Sequence, residues 1–215
     1  VTLPDAVLWD MDGTLIDTEP FWIASEHELA AEHDRPWTEE DSLALVGSGL
    51  LEAGAYIRRR LDSAMTPEQI VDYMIGRVTA RLGEGLPWRP GAVDLVRGFT
   101  DAGIPQALVT MSYASLAAPV MEALGFDVLV SGDAVDHAKP HPEPYLLAAR
   151  RLGVEPQRCL AIEDSKTGAT SANAAGCVVV AVPHAVNVPE ATRRTILRSL
   201  DGQTPGSLWA LASTN

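Results

Sequence analysis

The stretch Ala6-Val7-Leu8-Trp9-Asp10-Met11-Asp12-Gly13-Thr14-Leu15-Ile16-Asp17 joins a short apolar run to two carboxylates spaced two residues apart. The run is too short for a helix and does not alternate, the pattern of a strand buried on both faces of a parallel sheet. In such a sheet the ligand crevice lies beyond the carboxyl ends of the strands. The expectation is a strand over 6–10 that delivers Asp10 and Asp12 to that edge, with Gly13 turning the chain sharply. Taken alone, Asp-x-Asp-Gly is equally the composition of an ordinary turn whose acids only solvate a strand end.

Four further runs repeat the pattern: Gln106–Thr110, Val128–Ser131, Cys159–Asp164 and Val178–Val182. Helical patterns over 90–102, 115–124, 142–152 and 166–175 lie between them. Gly103, Gly125, Gly153 and Gly176 stand just past the helix ends, where a left-handed residue closes a helix. Strand, helix and glycine in rotation predict an α/β fold with a doubly wound, Rossmann-like parallel sheet.

The interval from 11 to 105 is far longer than one crossover needs, and most of Phe21 to Leu86 reads as helix. Thr66-Pro67-Glu68-Gln69 supplies a capping box with proline in the first turn, while Gly47-Ser48-Gly49 and Gly83–Pro87 break the pattern. The reading is an inserted all-helical cap over 18–87 on a core of 1–17 and 88–215. Hinges are expected near Asp17–Pro20 and Gly85–Pro90. Gln203–Ser207 and the last few residues are expected to fray.

Composition narrows the partners. Sixteen basic against 29 acidic residues give a net charge of −13, which argues against broad binding to nucleic acid or an anionic membrane. No run approaches the roughly 18 apolar residues of a spanning helix, and the N-terminal stretch lacks a signal-peptide pattern. Cys159 and Cys177 sit in apolar stretches and read as buried reduced thiols, so a cytoplasmic chain is expected, as a monomer or small homo-oligomer. Only Lys139 and Lys166 are lysine; the other basic residues are arginine.

Further strand ends complete a constellation. Glu163-Asp164 closes the fourth run, so four carboxyl groups converge on one edge, and a hard divalent cation with oxygen ligands relieves their repulsion. The competing reading makes this pair a helix cap near Ser165. Thr110, followed by Met111 and Ser112, offers a hydroxyl and free backbone amides where phosphate oxygens can dock. Lys139 lies in Ala138-Lys139-Pro140-His141-Pro142, whose prolines restrict the backbone so that the side chain can be aimed; a lone loop lysine is ordinarily a solvated charge, but the nearby acids and an expected phosphate favour an inward role.

The segments DMDGTLID, LVTMS, AKPHPEPY and IEDSKTGATSANAAG resemble, in order and spacing, the four motifs of the haloacid dehalogenase-like superfamily. The helical interval is similar to that superfamily's first-position cap. The whole looks most like its β-phosphoglucomutase-like branch of small-molecule phosphatases. The resemblance implies a Mg²⁺-dependent phosphatase that hydrolyses a small phosphorylated metabolite through an aspartyl-phosphate. Asp10 would be the nucleophile, and Asp12 the general acid and then the base. Asp164, Asp10 and the backbone carbonyl of Asp12 would hold Mg²⁺, with Glu163 a further ligand directly or through water. Thr110, Met111 and Ser112 would bind the phosphoryl group, and Lys139 would neutralise both it and Asp10.

Rival chemistries on the same resemblance differ in residues. Dehalogenases lack the second aspartate, present here as Asp12, and Schiff-base phosphonate cleavage needs a cap lysine, which 18–87 does not contain. A sugar-phosphate mutase needs a second cationic phosphate site in the cap. The stretch after Gly49 has no cation, and Arg58-Arg59-Arg60 reads as a solvated helix face that stays open as a substitute. A non-catalytic phosphate-binding regulator is a third reading. In the cap, Trp22, Tyr56 and Met74 are core or substrate contacts. His137 and His141 read as loop residues, because Mg²⁺ prefers oxygen.

Overall fold

Residues 3–46 and 48–214 are described in the computed structural model, so Gly47 of the expected Gly47–Gly49 break lies outside the described residues. The five apolar runs form β1 (Ala6–Trp9), β2 (Gln106–Val109), β3 (Val128–Val130), β4 (Cys159–Glu163) and β5 (Val178–Ala181). A sixth strand, β6 (Arg194–Ile196), completes an all-parallel sheet of order β3-β2-β1-β4-β5-β6. The order reverses between β1 and β4, and the crevice of a doubly wound sheet opens at that reversal.

Side-chain alternation in these strands feeds two cores. Val7 and Trp9 face a cluster with α5 (Ala92–Asp101), α6 (Ala114–Leu124) and α9 (Pro205–Ala212). Ala6 and Leu8 face α7 (Glu143–Leu152) and α8 (Lys166–Ala174), where Ala148, Ala149, Ala169 and Ala172 keep helix and sheet close. Gly103, Gly125, Gly153 and Gly176 all take positive φ past their helices, as expected.

The inserted interval folds as α1 (Glu19–Glu32), α2 (Glu39–Leu43), α3 (Leu50–Leu61) and α4 (Pro67–Leu82). Capping boxes at Thr38/Asp41 and Thr66/Gln69 start α2 and α4, and Gly49 precedes α3. Leu29, Ile57, Leu61, Ile70 and Met74 form a separate cap core under Trp37. Val78 and Leu82, at the far end of α4, instead join the sheet's own cluster.

The chain leaves and re-enters the core side by side. Asp17 N donates to Pro87 O at 2.8 Å, Arg89 N donates to Leu15 O at 2.8 Å, and Ile16 bridges Trp88 antiparallel.

Two expectations need correction. Gln203–Ser207 does not fray: Thr204 and Ser207 form a capping box that starts α9, and Leu208 and Ala212 are fully buried. β6 was not expected, because Arg194-Thr195-Ile196 carries no apolar run; it is an edge strand held by β5.

Candidate active site

The register of the central strands decides which side chains meet. Trp9 lies opposite Leu108 on β2 and Ile162 on β4, so Asp10, Thr110 and Asp164 follow at one edge of the sheet. Asp10 N donates to Ile162 O at 3.0 Å, which pins the first acid beside the end of β4.

Lys139 reaches into this edge from the loop before α7. Its Nζ donates to Asp10 Oδ1 at 2.8 Å, Glu163 Oε1 at 2.6 Å and Val109 O at 2.9 Å, with 4% of the side chain exposed. Tyr145 lies beneath it: its hydroxyl donates to Glu163 Oε1 at 2.7 Å, and its ring centroid is 5.1 Å from Nζ. Glu163 Oε2 accepts from the Ser165 hydroxyl at 3.1 Å, so both of its oxygens are engaged inside the fold. A methyl group at Gly168 would overlap this carboxylate, and one at Gly13 would overlap Asp164.

Asp12 sits at the opening, held by three hydroxyls. Thr18 donates to Oδ1 at 2.6 Å; Thr110 and Ser112 donate to Oδ2 at 3.1 and 2.8 Å. Thr110 Oγ1 also accepts from the Ser112 amide at 3.0 Å, and Met111 is half-buried at the same turn.

Burial governs the electrostatics. It pushes Asp10 up to about 7, with repulsion from Glu163 adding to it and Lys139 opposing it. Burial, then Asp10 and Glu163, raise Asp164 well above the carboxylate range. Burial alone would lower Lys139, yet the two carboxylates hold it above its usual value. Asp10 Oδ2 is buried without a hydrogen-bond partner. Oxygens of Asp10, Glu163 and Asp164 lie within 4.8 Å of one another. An orphaned carboxylate oxygen beside a second buried acid fits a hard divalent cation, and the all-oxygen donor set fits Mg²⁺.

A cavity of about 170 Å³ runs from Asp10, Asp12, Lys139 and Asp164 into the cap, where Trp22, Met74, Ser42 and Glu26 line it. Glu26 is 4% exposed; its Oε2 accepts from Trp37 Nε1 at 3.1 Å and from the Ser42 hydroxyl. Burial raises its carboxyl, against the lowering effect of those two donors. Tyr56 is not at the cavity; it packs edge-on against Trp37 and donates to Asp41 at 3.0 Å.

The remaining candidates distribute simply. Arg60 pairs with Asp41 at 2.7 Å, while Arg58, Arg59 and Lys166 are exposed. Glu143 accepts from the Asp136 and His137 amides and lies 2.8 Å from His137 Nδ1, bracing the loop before Lys139, and the His137 and His141 rings stack. Asp17 pairs with His184 at 3.0 Å. Sequence reading missed Tyr145 and Thr18. Both sit within or next to quoted motifs, but their contacts arise only once α7 and α1 are in place.

The reversed strand order, the helical insertion after β1 and the acids beyond β1 and β4 define a doubly wound α/β core with a helical cap over a carboxylate-rich crevice. The family model described as "haloacid dehalogenase-like hydrolase" matches residues 4–176, and the chain belongs to that family. It is 31% identical to a phosphorylated carbohydrates phosphatase of Thermotoga maritima, covering 85% of this chain and 87% of that protein. It is 35% identical to an N-acetylmuramic acid 6-phosphate phosphatase of Pseudomonas aeruginosa, covering 86% and 84%. CbbY from Rhodobacter sphaeroides, solved in complex with phosphate, superposes with a TM-score of 0.83 at 29% identity, covering 93% and 96%. Among the described residues no helix is long and apolar enough to cross a membrane.

Proposed function

We propose that this chain is a Mg²⁺-dependent phosphatase that hydrolyses a small phosphorylated metabolite through an aspartyl-phosphate on Asp10. The observation that carries the reading is Asp10 itself: one oxygen is held by Lys139 at 2.8 Å and the other is buried and unpartnered. A carboxylate so placed is oriented for in-line attack on phosphorus. The phosphatase relatives support the reaction class.

Asp10 and Asp164 side chains, with the Asp12 carbonyl, would hold the cation. When bound, it supplies charge screening between nucleophile and phosphoryl group and stabilises equatorial oxygens. Lys139 binds a phosphoryl oxygen and Asp10 together, while Tyr145 and Glu163 position it. Glu163 anchors Lys139 through Oε1, braced by Tyr145 and Ser165, and lies beside Asp10 and Asp164 as a further metal ligand, directly or through water. Thr110, Ser112 and the Met111 amide bind the phosphoryl oxygens. Asp12 gives its proton to the leaving alkoxide, then removes a proton from the water that cleaves the acyl-phosphate. Such a group is worth about 10²–10⁴-fold in rate. The segment 18–87 acts as the lid that excludes other water.

Hydrolysis is favoured over the mutase reaction because Arg58 and Arg59 are exposed and Arg60 is paired with Asp41, away from the cavity. The test is phosphate release from p-nitrophenyl phosphate with and without Mg²⁺. Turnover that requires Mg²⁺ and vanishes in Asp10→Asn is expected. A silent wild-type protein overturns the proposal and favours the regulator, whereas an active Asp10→Asn variant overturns Asp10 as the nucleophile.

A further inference from the structure

The cap end of the cavity has a chemistry distinct from its phosphate end. Its walls are apolar residues such as Trp22, Ile57 and Met74, interrupted by Glu19, Glu26, Ser42 and Ser48. Among the described residues lining it, Lys139 is the one cation, and it is committed to Asp10 and Glu163.

Glu26 is built into this end rather than exposed on a helix surface. Trp37 and Ser42 both hold Oε2, and among the described residues no hydrogen bond reaches Oε1. Glu19 lies nearer the hinge, 3.7 Å from His184 Nε2. A buried carboxylate with one oxygen free accepts a hydroxyl proton well. It repels a second phosphate or carboxylate that finds no cation to pair with.

Resting on the phosphatase reading, we infer that Glu26 is a specificity-determining residue that accepts a hydroxyl of an uncharged leaving group and excludes substrates with a second anionic group. The substrate class is therefore the monophosphate of a neutral polyol or sugar. Selectivity of this kind combines an attractive contact with a repulsive one, and both reside in the same carboxylate.

The test compares matched pairs: 2-hydroxyethyl phosphate against 2-phosphoglycolate, and glucitol 6-phosphate against glucitol 1,6-bisphosphate. The wild-type protein is expected to favour the neutral member of each pair by at least about 100-fold in kcat/KM. The isosteric Glu26→Gln variant is expected to shrink both ratios at least about tenfold, through KM rather than kcat. Calorimetric binding of the glucitol pair to Asp10→Asn reads the same preference without turnover. Comparable use of both members, or ratios unmoved in Glu26→Gln, overturns the inference while p-nitrophenyl phosphate turnover leaves the phosphatase reading intact. Loss of all turnover with preferential binding retained overturns the phosphatase reading and keeps Glu26 as the selector.

Discussion

Lys139 Nζ lies 2.6 Å from Glu163 Oε1, closer than its 2.8 Å contact with Asp10, and Glu163 is wholly buried. The lysine is thus anchored from behind by a carboxylate that makes no contact with solvent. Lys139→Met strands two buried acids, a loss that typically costs about 3–5 kcal/mol. The expected result is a protein with a clearly lowered Tm and no phosphate release. Lys139→Arg is expected to fail as a rescue, since a planar guanidinium does not fit a side-chain site of 4% exposure. Thermal melts and p-nitrophenyl phosphate assays check both.

Gly168 gives a way to disturb that anchor without altering any polar group. A methyl group there overlaps the Glu163 carboxylate, which must then release Lys139 or tilt it. Gly168→Ala is expected to lower kcat about 10–100-fold, consistent with the cost of displacing a positioned group. The folded circular dichroism spectrum should persist.

Cation removal should show a pH signature. Without a cation, Asp10 titrates near 7, far above an unfolded aspartate near 3.9. A raised carboxyl value means that the folded state holds the extra proton between those limits. Its contribution is fully present below about pH 4 and is lost as pH rises toward 7. Mg²⁺ competes with that proton, so it should raise Tm more at pH 8 than at pH 6. Thermal melts with Mg²⁺ and with EDTA at both pH values test this.

Asp41 is the opposite case, in the cap. The Arg60 hydrogen bond, aided by Thr38 and Tyr56, holds its carboxyl well below the usual range. Its stabilisation is present above the ordinary carboxylate value and is lost progressively as pH falls below that value and through the lowered folded one. Asp41→Asn should lower Tm at pH 7, with the gap to wild type narrowing progressively below pH 4.

The two thiols should be inert in the folded protein. Both are buried and free; burial pushes Cys159 up to about 12 and Cys177 higher still. Iodoacetamide at pH 8 is expected to modify neither residue until urea unfolds the chain, as mass spectrometry will report.

The sheet was largely legible because each central strand is an apolar run that ends abruptly on a polar residue, as Val109 gives way to Thr110. β6 escaped because Arg194-Thr195-Ile196 owes its conformation to pairing with β5, not to its own pattern. The acids could be gathered onto one edge from the strand ends, and Lys139 from the prolines and acids around it. Tyr145 could not, since only the first turn of α7 brings its ring under the ammonium. Glu26 carried no signal in the sequence, since its partners Trp37 and Ser42 reach it only once α1 and α2 are packed.

The hydrogen bond between Asp17 N and Pro87 O makes the cap a cassette. Chain exit and return are neighbours, so an inserted module of another length would still meet the sheet at the same two points. The graft is not wholly free, however. Val78 and Leu82 complete the sheet's own apolar cluster, so any replacement module must bring two residues that do the same. The insertion is therefore modular at the backbone and constrained at one patch of packing.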